Sequence, residues 1–256
     1  MSSNGIPEDL AAALTGLAAL PRVVVASDYD GCMAPIVSRP QDAKPNPASA
    51  AAIESLATAP DTLAAVVSGR ALSDLRALSG LSTRVTLIGS HGSEFADGFT
   101  VPITPDDTAR LSRIVSEFHS LATRFNGVTV EVKPASTTLH VRNASPDDAQ
   151  AALVAARTGP ATWPGVHATE GKAVIELAVI ETSKGIALDS LRNQFDASAV
   201  VYLGDDVTDE KAFAHLRHGR DVSIKVGEGS TGAEYRIPGT DSVAAVLETL
   251  AQLRRR

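Results

Sequence analysis

The sequence predicts an α/β protein: a doubly wound, mostly parallel sheet of Rossmann-like type with a smaller α+β domain inserted into it. Three observations carry that expectation. Short runs rich in β-branched residues alternate with Ala/Leu-rich stretches, the pattern of parallel strands joined by crossover helices. The apolar runs stop at polar or glycine-rich punctuation, as buried strands do where they open on one sheet edge. The rhythm breaks in the middle of the chain and resumes near Lys184, as an insertion between two halves of a core would make it do.

Taken in order, Pro7-Glu8-Asp9 reads as a helix start, with proline tolerated in the first turn and acids facing the positive dipole end. Leu10 to Leu20 is apolar enough to resemble a secretory core, but two acids precede it and the first cation is Arg22, so no leader peptide is expected. Core strands are expected at Val23 to Ser27, Leu63 to Val67, Val85 to Ile88, Ala199 to Leu203 and Val222 to Val226. Four of them end in Asp28, Ser68-Gly69-Arg70, Gly89-Ser90-His91-Gly92 and Gly204-Asp205-Asp206. In a parallel sheet these ends share an edge, so residues remote in sequence converge there.

Between them, Asp106 to Arg124 reads as a helix, followed by strands Val128 to Lys133 and Thr137 to Arg142 around Pro134-Ala135-Ser136. The unit repeats as a helix over Pro146 to Arg157 and strands Val166 to Thr169 and Ala173 to Leu177 around Glu170-Gly171-Lys172. The core is therefore expected over 1–102 and 180–256, and the inserted cap, with an antiparallel sheet, over 103–179. Asp241 to Leu253 reads as a closing helix capped by Asp241, with Arg254 to Arg256 as cations suited to its carboxyl end.

At 256 residues and 44% apolar content the chain can bury a sizeable core. Its net charge of −7 argues against nucleic acid as a partner. No stretch approaches the ~20 apolar residues of a membrane span, so no membrane partner is expected. A single cysteine, Cys32, cannot form an internal disulfide, which suits a reducing cytoplasm.

The polar strand ends carry the chemistry. Asp28, Asp30, Asp205, Asp206 and Asp209 would bring carboxyls together at one edge, which like-charge repulsion resists unless a cation neutralises them or protons are retained. A hard divalent ion is the economical answer, and all-oxygen ligation suits magnesium. Ser68 offers a hydroxyl and Lys184 a compact cation, both suited to phosphate oxygens.

Asp28-Tyr29-Asp30-Gly31, Ser68-Gly69-Arg70, Lys184-Gly185 and Gly204-Asp205-Asp206-Val207-Thr208-Asp209-Glu210 resemble, in order, the four motifs of haloacid-dehalogenase-superfamily phosphohydrolases. Within that superfamily the chain looks most like the trehalose-phosphatase family, through Gly89-Ser90-His91-Gly92, the form of the fourth motif and the position of the cap. It departs from the family pattern at Cys32-Met33, at Ser90, and in lacking a proline after Glu176-Leu177. The resemblance implies magnesium-dependent hydrolysis of trehalose 6-phosphate, by a free-standing monomer acting on a small-molecule substrate. It implies Asp28 as nucleophile, Asp30 as acid and then base, and Ser68 and Lys184 as stabilisers of the phosphate oxygens. It implies Asp28, Asp30 through its main chain, Asp205 and, from a second layer, Asp209 around the metal. Gly69, Arg70, His91, Gly92 and Asp206, with Lys133, His140, Arg142, Lys172 and Glu176 in the cap, are the implied phosphate and sugar contacts.

Each of these residues also has a structural reading. Ser68-Gly69-Arg70 can start a helix, Lys184 can be solvated, His91 can line a turn and Asp206 can cap the helix beginning near Thr208. His140 and Arg142 can be the wet face of a strand, Lys172 and Glu176 an exposed ion pair, and Cys32 a packing residue. Among other functions, an Asp-x-Asp glycosyltransferase would not require the lysine, a phosphoacceptor receiver domain would not pair its acids on the first strand, and a silent sensor would have lost Asp28 or Asp30. A phosphatase for another sugar phosphate and a hexose-phosphate mutase are separated by their products.

Overall fold

The computed structural model describes residues 6–99, 101–171 and 173–255. The chain opens with α1 (Glu8–Ala18), β1 (Val23–Ser27), α2 (Pro47–Leu56), β2 (Thr62–Val67), α3 (Leu72–Ser79), β3 (Thr86–Ile88) and a short ribbon of β4 (Glu94–Phe95) and β5 (Gly98–Phe99). It continues through α4 (Pro105–Arg124), β6 (Thr129–Val132), β7 (Ser136–His140), α5 (Pro146–Thr158), β8 (His167–Gly171) and β9 (Val174–Ala178). It closes with α6 (Lys184–Phe195), β10 (Ala199–Gly204), α7 (Val207–Phe213), β11 (Val222–Val226), β12 (Tyr235–Ile237) and α8 (Thr240–Arg254). Two compact units result, Met1–Ala96 with Ser183–Arg256, and Asp97–Thr182. The division falls before Asp97 and after Thr182, where the sequence reading puts it after Pro102 and Val179.

In the first unit six parallel strands lie in the order β12-β11-β10-β1-β2-β3. Alternation along each strand assigns its side chains to opposite faces. Val23 and Val25 of β1 join a core with Leu10 and Leu14 of α1, Ile53 of α2 and Leu247 of α8. Val24 and Ala26 join a second core with Leu188 and Leu191 of α6 and Phe213 of α7. Both faces are covered, which is why β1 reads as an unbroken apolar run rather than an alternating one. Each fully buried large aliphatic side chain stabilises this sandwich by about 1.5–3 kcal/mol. The sheet grows outward from β1 to β3 on one side and from β10 to β12 on the other, so β1 and β10 flank the switch point of the topology. The Asp28 N–H donates to Leu203 O across that seam at 2.8 Å.

Several boundaries differ from those read in the sequence. Strand β12 is unanticipated, because three residues after a glycine-rich stretch carry too little alternation to register. Arg142 lies in the turn beyond β7, not in the strand, and is exposed. Asp241 is not the cap of α8. Gly239 occupies that position, and Asp241, in the first turn, accepts a hydrogen bond from Asn46 Nδ2 at 3.0 Å.

The second unit is a four-stranded antiparallel sheet, β6-β7-β9-β8, built with α4 and α5 around one apolar core. Leu139, Ile175 and Leu177 point into that core with Ile114 and Phe118 of α4 and Ala152 of α5. On the opposite parity, Glu131, Thr138, Glu176 and Thr169 line up across the strands. Among the described residues no helix is long and apolar enough to cross a membrane.

Candidate active site

The first residue past β1 is Asp28, buried at 5% exposure, whose Oδ1 accepts from the Tyr29 N–H at 2.7 Å and faces Lys184 Nζ at 2.9 Å. Ser183 caps α6 by accepting from the Ile186 N–H at 3.1 Å, which sets Lys184 as the first residue of that helix. Lys184 Nζ also donates to Asp209 Oδ1 at 2.8 Å. Three remote segments thus close on one buried ammonium group.

Burial alone would drive Lys184 toward neutrality, but the charges of Asp209 and Asp28 outweigh it and hold its pKa above that of an ordinary lysine. Burial pushes the Asp28 carboxyl well up; Asp209 and Asp205 push the same way, and Lys184 offsets them only in part. Asp209 goes down despite its burial, because Lys184, the Asp206 N–H and Tyr202 all stabilise its charge. Both oxygens of Asp209 are engaged: Oδ1 by Lys184 and by Tyr202 OH at 2.7 Å, Oδ2 by the N–H groups of Asp205 and Asp206, each at 3.0 Å. The sequence reading places Asp209 near the metal. In the structure it anchors the lysine and the loop after β10, while Asp206 is the N-cap residue of α7.

Donor atoms of Asp28, Cys32 and Asp205 lie within 4.8 Å of one another. Burial, then the Asp209 charge, raises the Asp205 carboxyl to about 6. Two carboxyls raised in this way are a pair that lacks positive charge, so the donor set fits a hard dication. Burial also raises the Cys32 thiol, which keeps it neutral and leaves the carboxylates as the ligands of choice. Gly31 explains the glycine of the first motif. Its φ is +83°, and a Cβ there would fall 2.1 Å from Asp205 Oδ2.

Asp30 does not point at this cluster with a free carboxyl. Arg70 grips it with both arms, Nε to Oδ2 and Nη2 to Oδ1, each at 2.7 Å. Arg70, expected as a phosphate contact, is paired here with Asp30. Ser68, buried at the end of β2, accepts from the Arg70 N–H at 3.2 Å. Gly69 and Gly92, expected to touch substrate, permit close approaches: a Cβ on Gly69 would lie 2.5 Å from His91 Cε1, and one on Gly92 2.4 Å from Ser183 O. The His91 N–H donates to Ser68 O at 2.9 Å, tying the turn after β3 to the Ser68 loop.

Three further residues support this edge without having been found in the sequence. Tyr202 holds Asp209, the Lys225 ammonium donates to the Asp205 carbonyl, and Glu94 accepts from the Leu72 N–H at 2.8 Å. A lysine inside the buried strand Val222–Val226 is the one signal that could have pointed to Lys225.

In the second unit, Glu176 is buried and pairs with Lys133 at 2.6 Å, and it also accepts from Ser136 and Thr138 at 2.9 Å each. His140 Nε2 meets Glu131 Oε2 at 2.8 Å, and that bond is the main cause of the lowered Glu131 pKa. Lys172 lies outside the described residues.

The family model described as trehalose-phosphatase matches residues 26–239, from the end of β1 to the start of α8. The chain belongs to the trehalose-phosphatase family. It is 33% identical over 228 residues to the trehalose-6-phosphate phosphatase of Escherichia coli, covering 87% of this chain and 84% of that one. It is 31% identical over 253 residues to a trehalose-phosphate phosphatase of Mycobacterium marinum, covering 91% of this chain but only 62% of that longer protein. The solved C-terminal domain of the trehalose-6-phosphate phosphatase of C. albicans shares the fold, with a TM-score of 0.78 at 21% identity over 97% of this chain and 99% of that one. As a member of the trehalose-phosphatase family the chain is a hydrolase of phosphoric monoesters.

Proposed function

We propose that this chain hydrolyses trehalose 6-phosphate to trehalose and phosphate through an aspartyl-phosphate on Asp28, with magnesium as its cofactor. The observation that carries the reading is the Asp28–Lys184–Asp209 bridge, with Asp205 beside it at the same sheet edge.

Asp28 attacks phosphorus, forming the acyl-phosphate bond as the bond from phosphorus to the sugar oxygen breaks. Asp30 leaves the Arg70 fork, takes up a proton from solvent and gives it to that departing oxygen, and then takes one from the water that cleaves the acyl phosphate. The separation of Asp30 from the nucleophile through Arg70 keeps the two carboxyls in distinct environments, as opposite roles require. Lys184, already fixed by two carboxylates, places positive charge against Asp28 and the transferring phosphoryl oxygens without reorganising. The Ser68 hydroxyl retains its proton for an equatorial oxygen, since its contact with the Arg70 N–H uses only a lone pair. Asp28 and Asp205 would hold the dication, which when bound offsets negative charge on nucleophile and phosphate. The polar sheet face of the second unit, with Lys133, Glu131, His140 and Glu176, supplies the kind of charged groups that read sugar hydroxyls.

The test is a panel of sugar phosphates, with and without magnesium, for the wild type and for Asp28→Asn. Preferred release of phosphate from trehalose 6-phosphate, dependent on magnesium and abolished by Asp28→Asn, supports the proposal. Equal turnover of glucose 6-phosphate removes the substrate assignment, and an active Asp28→Asn removes the mechanism.

A further inference from the structure

The loop that carries Ser68 and Arg70 is held in place by a carboxylate that contributes nothing to the chemistry above. Helix α3 begins at Leu72 behind Ala71, which has no side chain able to cap it. The missing acceptor comes from a residue twenty-two positions on: Glu94 Oε2 takes the Leu72 N–H at 2.8 Å. The same oxygen accepts from Ser90 Oγ at 3.1 Å. One carboxylate oxygen therefore binds both the exit of the Ser68 loop and the turn that lies over it, and its negative charge sits at the positive end of α3.

That turn is built under strain for a purpose. Ser90 and His91 both adopt left-handed backbone angles, with φ of 49° and 55°, which side-chain-bearing residues avoid. In return their N–H groups reach across the loop, His91 to Ser68 O at 2.9 Å and Ser90 to Arg70 O at 2.7 Å. Strain of this kind persists only where surrounding bonds over-determine it. The Ser90–Glu94 bond, the Ser93 Oγ donation to Ser90 O at 2.9 Å and the Gly89 donation to Glu94 O at 2.9 Å are those bonds.

We propose that Glu94 is a positioning residue of the active site: by clamping both sides of the loop it sets where Ser68 Oγ stands and where the Arg70 guanidinium, the resting partner that must release Asp30, stands. The inference rests on the catalytic roles given to Ser68 and Asp30 above. Glu94 touches neither substrate nor reacting atoms, so its loss acts on turnover through a small displacement of the groups that do.

The experiment measures kcat, KM and thermal midpoint on trehalose 6-phosphate for Glu94→Ala, Glu94→Gln, Ser90→Ala and Ser68→Ala. A displacement of about 1 Å in such groups costs on the order of a hundredfold, so Glu94→Ala should lose roughly ten- to a hundredfold in kcat with KM little changed. Glu94→Gln keeps an oxygen that accepts both bonds and should recover most of that loss. Ser90→Ala should fall between the wild type and Glu94→Ala. The inference is overturned if folded Glu94→Ala turns over within roughly twofold of the wild type, or if Glu94→Gln is as impaired as Glu94→Ala. Should Glu94→Ala not fold, Glu94→Gln and Ser90→Ala decide: wild-type kcat in Gln with a reduced kcat in Ser90→Ala supports the role, and wild-type kcat in Ser90→Ala overturns it. Ser68→Ala separates the two levels, since an impaired Ser68→Ala beside a normal Glu94→Ala sinks only this inference, whereas an unimpaired Ser68→Ala sinks the catalytic reading beneath it.

Discussion

Replacing Gly31 by alanine should damage catalysis far more than it damages the fold, and the structure supplies the size of the effect. A Cβ at this position would stand 2.1 Å from Asp205 Oδ2 and 2.3 Å from its Cγ. Ordinary contact begins at 3.4 Å, so the Asp205 carboxyl must retreat by about 1.3 Å or the Asp28–Asp30 turn must open by as much. Either movement separates the carboxylates that would share the dication, and misplacement on the order of 1 Å costs about a hundredfold in rate. The φ of +83° adds roughly 1–2 kcal/mol of backbone strain. Gly80 provides the control, because its φ is +61° and nothing lies within 4 Å of its hypothetical Cβ. Both variants should lose roughly 2–8 °C in thermal midpoint, whereas only Gly31→Ala should lose activity and require more magnesium for half-saturation. Steady-state rates across a magnesium titration, with melting curves for both variants, make the comparison. If Gly31→Ala keeps the rate and magnesium dependence of Gly80→Ala, the close approach of Gly31 to Asp205 has no functional weight.

Lys184→Met leaves the buried carboxyls of Asp28 and Asp209 without their cation. It should cost about 3–5 kcal/mol by chemical denaturation, with activity lost even where the variant is folded. Asp30→Asn should lower turnover of trehalose 6-phosphate by roughly a hundredfold or more, and much less for an aryl phosphate whose leaving group needs no proton; equal losses on both would deny Asp30 its role. Asp205, raised from 3.8 to about 6, holds its proton more tightly folded than unfolded, so its contribution to metal-free stability falls as pH rises from about 4 to about 6. The same proton competes with a dication, so magnesium affinity followed by calorimetry should weaken as pH falls through about 6.

The candidate site was legible because its residues sit where chain periodicity changes. Asp28, Ser68 and Asp205 each follow an apolar run, and a parallel sheet gives such positions only one place to meet. Lys184 was legible from its neighbours in the motif, and its burial between two carboxylates was not, because burial depends on what other segments bring. Partnerships were the weakest part. Arg70 reads as an anion ligand for any anion, and nothing local says that the anion is Asp30, forty residues earlier. Lys133 follows β6 and Glu176 lies on β9, remote in sequence, and they meet only because β7 pairs with both strands. Glu94 and Tyr202 act on backbone or on another acid from more distant elements, so no spacing rule could nominate them. Strand β12 and the Gly239 start of α8 were missed for a different reason: a three-residue strand and a cap without a side-chain bond leave almost no local imprint.

The abutment of Gly92 on Ser183 O has a consequence for how such a chain can change. These residues belong to the same compact unit, yet more than eighty positions of sequence separate them, nearly all of which make up the other unit. The stretch before the chain leaves this unit and the one with which it returns are therefore packed backbone to backbone. Residues inserted or removed between them need not alter the spacing of Ser68, Lys184 and Asp28, all of which lie in this unit. Any side chain at position 92 would press on Ser183 O, one residue before Lys184, and so carry a change in the departing segment straight to the returning one.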